Sequence, residues 1–200
     1  MQAVLSMNTP DLETFAPRPK RADAQRNYAK LLEAARAAFT EADADASLED
    51  IARRAGVGIG TLYRHFPTRQ VLIEAVYVDQ VEALSRSARD LADLPPWQGL
   101  TAWLRRYVEY VATKQALANE LFAEGASSDV FANCRSALYS AGGPLLERAQ
   151  EAKIVRTDVG ISDVLHLISG VAKIAATNQE QAERILDVAL DGLRYVPSAG

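Results

Sequence analysis

The sequence predicts an all-α protein, and three features of its 200 residues support this prediction. Apolar residues recur at helical spacing through most of the chain after about residue 23. No segment shows the alternating pattern of a convincing strand. Three glycines, at positions 56, 58 and 60, separate two short helical segments. We therefore expect an N-terminal three-helix unit followed by a larger helical region.

The composition is that of an ordinary globular chain and argues against several classes of protein. Hydrophobic residues make up 48% of the chain and charged residues 24%. No apolar run approaches the roughly 18 residues of a membrane span, and the N-terminus lacks a signal-peptide pattern. The single cysteine, Cys134, excludes an internal disulfide and is read as a buried apolar residue. We expect a cytoplasmic protein with no membrane partner.

The net charge of −4 conceals an asymmetry along the chain. Residues 18–36 carry six basic side chains against two acidic ones, and residues 51–70 carry four arginines and no acid. Residues 71–200 carry twelve basic and seventeen acidic side chains, a net charge of −5. A polyanionic partner is therefore expected on the N-terminal side.

Proline content and apolar spacing predict the domain boundaries. Residues 1–19 contain three prolines and no sustained periodicity, which predicts a disordered arm. Residues 20–70 are predicted to form the three-helix unit, and residues 71–200 the larger helical domain. The first helix begins near residue 23, where apolar residues fall three and four positions apart. These residues are Tyr28, Leu31, Leu32, Ala35, Ala38 and Phe39.

Two short helices around a tight turn follow, which is the arrangement of a helix-turn-helix. Ser47 is a candidate N-cap, with Asp50 three residues later in a weak version of the capping box. The first short helix should cover residues 48–55. Gly56 then stands where a helix end favours a left-handed residue. The second short helix should cover residues 58–65.

Besides a DNA-binding turn, the glycine cluster allows two other interpretations: a nucleotide-binding loop and tight packing of the two short helices. A glycine-rich loop for a nucleotide pyrophosphate must follow a strand, whereas this cluster follows a helix. Gly58 and Gly60 lie at the helix end that meets a DNA groove, where a missing side chain permits close approach of the duplex backbone. The alternative for these glycines is tight packing of the two short helices on each other.

The second short helix leaves a polar set exposed once Leu62 and Phe66 point inward. Its members are Thr61, Tyr63, Arg64 and His65. Hydroxyl and imidazole groups suit phosphate contacts, and an arginine can read a guanine edge in the major groove. Arg69 follows in the first turn of the next helix, where a cation opposes the helix dipole unless an anion lies nearby.

Residues 48–76, LEDIARRAGVGIGTLYRHFPTRQVLIEAV, resemble the DNA-binding domain of the TetR family of bacterial repressors. With the first helix, the resemblance covers some 60 residues. Gly58 stands where the family usually has serine, which removes a cap, and Arg69 stands where lysine is usual. The resemblance implies a double-stranded DNA partner with a palindromic operator. The predicted DNA-binding residues are Ser47, Gly58, Gly60, Thr61, Tyr63, Arg64, His65 and Arg69.

The remainder of the chain is predicted to be helical throughout. Helices are expected over residues 69–91, 97–114, 115–124, 129–150, 162–175 and 179–195, with a disturbance at the GGP sequence of residues 142–144. Segments 99–121 and 156–172 resemble the C-terminal domain of an actinobacterial-type subgroup of the same family. That resemblance implies a small-molecule effector of unknown identity and a homodimer.

Aromatic and apolar residues of this region provide candidates for both roles. The aromatic side chains either line an effector pocket or form ordinary core. They are Trp103, Tyr107, Tyr110, Phe122, Phe131 and Tyr139. Two apolar faces on the last two helices predict a four-helix dimer interface, represented by Leu165, Ile168, Leu186 and Leu190. His166 lies in the same region and is read as an interface or core residue.

No catalytic constellation or metal-ligand spacing is found in the sequence, so we expect neither an enzyme nor a cofactor. The resulting prediction is a ligand-responsive transcriptional regulator, a repressor released from its operator by a small molecule. One alternative is a helical small-molecule-binding or enzymatic domain whose DNA-binding helices are non-functional. A second, an architectural DNA-binding protein, disagrees with the acidic residues 71–200.

Overall fold

The structure, a computed structural model, describes residues 12, 16–40, 46–123, 128–175 and 178–194. Side chains within these ranges are described except at 40, 112, 113, 115–123, 128 and 175. The prediction of an all-α fold is confirmed. The helices are α1 (Ala22–Thr40), α2 (Leu48–Arg54), α3 (Ile59–His65), α4 (Arg69–Asp90), α5 (Pro96–Ala123), α6 (Ser128–Glu151), α7 (Ile161–Ala175) and α8 (Gln179–Gly192). None of them, over the ranges above, is long and apolar enough to cross a membrane.

The described residues divide into two compact units. The N-terminal unit contains residues 12, 16–40, 46–80, 113–123 and 128–134, and the C-terminal unit contains residues 81–112, 135–175 and 178–194. Helices α4, α5 and α6 therefore each contribute residues to both units. The division falls within helices, so it follows tertiary packing rather than any break in the sequence pattern.

The N-terminal unit is organised around the apolar side of α1, against which α2 and α3 pack. Leu31 of α1, Ile51 of α2 and Leu62 of α3 are completely buried. Phe66 follows α3 and is 1% exposed, with its ring 5.0 Å from that of Tyr28. Burial of side chains of this size contributes roughly 1.5–3 kcal/mol each. The predicted stripe on the first helix thus forms the core of this unit.

The described end of the N-terminal arm is part of the N-terminal unit. Ala16 is buried, and Arg18 forms an ion pair of 2.8 Å with Asp79 of α4. A buried residue and an ion-paired residue thus occur within the predicted disordered arm of residues 1–19, whose disorder stays a prediction. No periodic pattern marks these contacts, because they are made by isolated residues in a proline-containing segment. Residues 1–11 and 13–15 lie outside the described residues.

Two predicted helix interruptions are wrong. Helix α5 runs without a break past residue 114, since no glycine or proline occurs between residues 100 and 123. Helix α6 runs through Gly142, Gly143 and Pro144. Gly142 must be a glycine, because a Cβ atom at this position would lie 2.5 Å from the indole ring of Trp103. Close packing on that ring offsets the usual cost of glycine inside a helix.

Candidate nucleic-acid interface and effector region

Hydrogen bonds fix both ends of α2, including the turn that connects it to α3. Ser47 is the N-cap, as predicted, and its hydroxyl oxygen accepts from the backbone N–H of Asp50 at 3.1 Å. At the other end Gly56 adopts a left-handed φ of 63°. The N–H of Val57 donates to Ala52 at 3.0 Å and that of Gly56 to Arg53 at 3.1 Å, which is a complete Schellman motif. The turn therefore sets how α3 leaves α2.

Helix α3 has one buried edge and one open edge. Leu62 is completely buried, whereas Tyr63 is 44% exposed and Ile59 is 38% exposed. Arg64 is exposed and Thr61 is half-buried. Arg64 has no hydrogen-bond or ion-pair partner among the residues that the structure describes. The open edge thus presents a phenol, a guanidinium group and a hydroxyl in a stretch without acidic residues.

Gly58 and Gly60 lie on open space rather than against the protein. Gly58 is the N-cap of α3 and makes no side-chain capping bond, in agreement with the expected loss of a cap. A Cβ atom built on either glycine would have no neighbour within 4 Å in the part of the chain that the structure describes. The alternative that these glycines permit packing of the two short helices is therefore wrong. Any close approach that they serve involves a partner outside the described residues.

His65 is partly withdrawn from the open edge. Its ring lies 5.8 Å from that of Tyr28 in an edge-on arrangement and 6.1 Å from that of Phe66. Burial against these rings lowers the pKa of His65 below its usual value. The imidazole is therefore neutral at pH 7 and offers a phosphate an N–H hydrogen bond rather than a full charge.

Arg69 and Ser47, both predicted to bind DNA, have partners within the N-terminal unit. The guanidinium group of Arg69 donates to the backbone carbonyl of Ala46 and lies 5.0 Å from the ring centroid of Phe39. It therefore connects the start of α4 to the end of α1. The Ser47 hydroxyl also donates to the Asp50 carboxylate at 3.0 Å. These contacts account for both residues without DNA.

The aromatic residues predicted for an effector pocket fall into the two units separately. In the C-terminal unit, Trp103 and Tyr107 are buried with ring centroids 6.1 Å apart, and Tyr110 lies 5.7 Å from Tyr107. Tyr139 is half-buried, with its hydroxyl 3.3 Å from Ser162. In the N-terminal unit, Phe131 lies 5.5 Å from Tyr77. Phe122 is outside the described side chains.

The polar atoms of the buried aromatic residues are already paired. The Trp103 indole N–H donates to the Leu84 carbonyl at 3.0 Å, and the Tyr107 hydroxyl lies 2.9 Å from Ser169. Burial raises the pKa of the Tyr107 phenol, which keeps it neutral. These contacts favour the core alternative for Trp103 and Tyr107.

The predicted dimer-interface residues lie in the core of their own subunit. Helices α7 and α8 pack on each other. Four leucine and isoleucine side chains of these helices are each no more than 4% exposed: Leu165, Ile168, Leu186 and Leu190. Residues this buried within one chain leave little surface for a second subunit, so the assignment of these four to a dimer interface stays a prediction that their burial does not favour. Leu167, at 46% exposure, and Val188, at 72%, face outward from the same helices instead.

Sequence reasoning missed a polar cavity in the C-terminal unit. Arg148, Ser85 and Ser140 each have a buried polar atom with no hydrogen-bond partner among the described residues. All three line one groove of about 220 Å³ between α4 and α6. No motif links these residues, since they come from two helices far apart in sequence. Helical spacing on each helix was the only available signal.

Comparisons with known proteins agree with the all-α fold and with a DNA-binding domain at its N-terminus. Residues 31–76 match the family described as "Bacterial regulatory proteins, tetR family". Residues 95–195 match the family described as "Transcriptional regulator SbtR-like, C-terminal domain". The chain belongs to the TetR family of bacterial transcriptional regulators.

Two solved structures resemble most of the chain. The TetR transcriptional regulator SCO0520 from Streptomyces coelicolor is 43% identical, with a TM-score of 0.77 over 84% of this chain and 99% of that one. A TetR transcription regulatory protein from Mycobacterium vanbaalenii is 36% identical, with a TM-score of 0.74 over 88% of this chain and 99% of that one.

A curated relative resembles part of the chain. It is the HTH-type transcriptional regulator SAR0097 from Staphylococcus aureus (strain MRSA252), which is 32% identical over 83 residues. The match covers 40% of this chain and 44% of that protein, so the chain spans less than half the length of this curated relative.

Proposed function

We propose that this protein is a homodimeric repressor that binds a palindromic DNA operator through α3 and is released by a small-molecule effector. The observation that carries the proposal is the open edge of α3, where Tyr63 and Arg64 are exposed beside glycines with free space around them. Arg64 reads a base edge, and Thr61, Tyr63 and the neutral His65 contact phosphates. Gly58 and Gly60 admit the duplex backbone.

Arg69 and Ser47 take a supporting role in this proposal. Both make bonds inside the N-terminal unit, Arg69 to Ala46 and Ser47 to Asp50. They hold α2 and the start of α4, and so position α3 without needing to contact DNA. Replacing either would disturb the fold together with DNA binding, and neither is a suitable probe of the interface.

A dimer follows from the small size of the recognition element. A helix of seven residues reads only a few base pairs, so two half-sites are needed for useful specificity. We assign the interface to the outward faces of α7 and α8, which carry Leu167 and Val188. A contact between subunits there would remove both apolar side chains from water.

Release by an effector follows from linkage between two binding sites. An effector that prefers a conformation of low DNA affinity weakens DNA binding by the same factor by which DNA weakens effector binding. Helix α4 is the expected connection, because it contributes residues to both units without interruption. Phe131 and Tyr139, both half-buried, remain candidate effector contacts.

Selection of DNA from a random duplex pool tests this function, with affinity then measured over a salt series. We expect a palindromic sequence, and a steep loss of affinity with salt as counterions return to the phosphates. Arg64→Gln should weaken specific binding by roughly 1–3 kcal/mol and relax the preference at one base pair of each half-site. The matched control is Arg106→Gln, an exposed arginine of the C-terminal unit.

The outcomes separate this proposal from its alternative. Loss of affinity in Arg64→Gln but not in Arg106→Gln supports DNA recognition by α3. If no sequence is enriched, or if both variants bind like the wild type, α3 is not the reader. The chain would then be a helical small-molecule-binding or enzymatic domain with non-functional DNA-binding helices.

A further inference from the structure

A groove between α4 and α6 combines small apolar walls with unpaired polar atoms. Its volume is about 220 Å³, below the roughly 300 Å³ at the lower end of drug-sized ligand sites. The lining residues of each helix recur three or four positions apart, so each helix contributes one face. On α4 these are Ser85, Ala88, Arg89 and, just beyond the helix end, Ala92; on α6 they are Ala137, Ser140, Ala141, Pro144, Leu145 and Arg148.

Three of the lining residues present buried polar atoms without a partner. They are the Nη1 nitrogen of Arg148 and the hydroxyl oxygens of Ser85 and Ser140. The other terminal nitrogen of Arg148 donates to the Leu94 carbonyl at 3.1 Å, which fixes the orientation of the guanidinium group. A buried polar group without a hydrogen bond is costly, and native structures contain few of them. Three in one small groove therefore indicate a site for a polar ligand group.

The charge of the groove defines that group. Within the described ranges Arg148 forms no ion pair, and no acidic side chain lines the groove. Arg89 adds a second cationic side chain at its rim. A guanidinium group can only donate, and the two hydroxyls can donate as well. The complementary ligand group is an acceptor-rich anion, and a planar carboxylate matches a guanidinium group best.

We propose that this groove binds a small organic monocarboxylate. The carboxylate is bound by Arg148 with Ser85 and Ser140. The short apolar body of the ligand packs on Ala92, Ala141 and Pro144, the apolar lining residues that keep part of their surface open. A bare inorganic anion would leave those walls uncovered.

The regulatory consequence rests on the function proposed above. Ser85 and Arg89 belong to α4, the same uninterrupted helix that begins at Arg69. Arg69 in turn binds Ala46 beside the N-cap of α2. A ligand that draws α4 toward α6 changes the position of that helix, and bound acid is therefore expected to weaken DNA binding.

Calorimetric titration of the full chain tests the site directly. The probes are butyrate and benzoate, each paired with its neutral amide, and sulfate as a bare anion. We expect at least one acid to bind saturably with a Kd of about 1 mM or below, and its amide at least tenfold more weakly. Sulfate should not compete with that acid.

Variants locate the binding within the chain. Arg148→Gln should weaken acid binding about tenfold or more, as should Ala141→Leu, which fills the groove. Arg135→Gln, on an exposed part of the same helix, should leave it unchanged. Circular dichroism checks that each variant is folded. If Arg148→Gln does not fold, Ser140→Ala takes its place as the test, because it is a smaller change. Ser140→Ala should lower the affinity for the acid severalfold.

The results distinguish the site from its consequence. The site is overturned if neither acid binds saturably, if amides or sulfate bind equally well, or if Arg148→Gln and Ser140→Ala bind like the wild type. Acid binding that leaves operator affinity unchanged overturns only the regulatory consequence. Failure of the wild type to select any DNA sequence counts against the proposed function and leaves the calorimetric result intact.

Discussion

Gly142 of α6 lies directly against the indole ring of Trp103. A Cβ atom on Gly142 would be 2.5 Å from two carbon atoms of the ring and 2.9 Å from Ile161. Trp103 is completely buried and donates from its indole nitrogen to the Leu84 carbonyl. The contact therefore joins α4, α5, α6 and α7 around a single side chain in the C-terminal unit.

This contact predicts opposite effects for two adjacent glycines. Gly142→Ala should lower the free energy of unfolding by about 1–3 kcal/mol, because the indole ring or the backbone of α6 must shift. Gly143→Ala is the matched control. A Cβ atom on Gly143 meets nothing within 4 Å, so this variant should gain up to about 1 kcal/mol from helix propensity. Urea unfolding of both variants measures the difference, and equal stabilities would contradict the packing described above.

Gly60 should show a conflict between stability and DNA binding. Gly60→Ala adds a methyl group in open space, so the free energy of unfolding should rise by up to about 1 kcal/mol. The same methyl group should weaken operator binding, because it occupies the space assigned to the duplex backbone. Thermal unfolding and a DNA titration on one preparation measure both effects. Undiminished DNA affinity in a stabilised variant would mean that the duplex does not approach this position.

Substitutions at the C-terminal ends of α2 and α6 should change the free energy of unfolding in opposite directions. Both helices end in a Schellman motif with a left-handed residue, Gly56 at φ 63° and Lys153 at φ 56°. Lys153→Gly should therefore raise the free energy of unfolding by about 0.5–1 kcal/mol, because lysine is strained in this conformation. Gly56→Ala should lower it by about 1 kcal/mol or more for the same reason. If Lys153→Gly is destabilising, side-chain packing at residue 153 outweighs the backbone preference.

The N-cap of α2 predicts two effects: a loss of stability when Ser47 is replaced, and a pH dependence of stability that comes from Asp50. Ser47→Ala should lower the free energy of unfolding by about 1 kcal/mol, because the N–H of Asp50 loses its acceptor.

The ion pair with Arg53 and the hydrogen bond from Ser47 lower the pKa of Asp50. A depressed carboxyl pKa contributes stability above the pKa of the unfolded chain, and this contribution is lost as pH falls. Asp50→Asn should therefore flatten the acid side of the stability profile below roughly pH 4.

His65 predicts a second pH effect, in a higher range. Burial lowers its pKa in the folded state, so the unfolded chain binds a proton first as pH falls. Stability should be fully present above the unfolded pKa, roughly 6.5, and decrease as pH falls through the lower folded value. His65→Gln should remove this slope. Urea midpoints measured from pH 8 to pH 5 would contradict the assignment if wild type and variant fall in parallel.

Local signals in the sequence predicted the N-terminal unit well. The Ser47 cap and the left-handed Gly56 depend on hydrogen bonds within a few residues, and helical spacing is enough to identify Leu62 as buried and Tyr63 as exposed. The same spacing could not show that Arg69 binds Ala46 and Phe39. Those partners lie 20 or more positions earlier in the chain, and no local pattern records them.

The C-terminal unit shows the limit of such signals more clearly. An apolar stripe on α7 or α8 indicates that a face is buried but not what covers it. Leu165 and Leu186, predicted at a dimer interface, are each no more than 4% exposed within one chain, and the stripe gave no signal of that burial. The sequence by itself determined the helices, the helix-turn-helix and the family, because these rest on local hydrogen bonding and on periodic apolar spacing. Only the tertiary structure decided which glycines face open space and which polar atoms share the α4–α6 groove, because both depend on residues that meet only when distant helices pack.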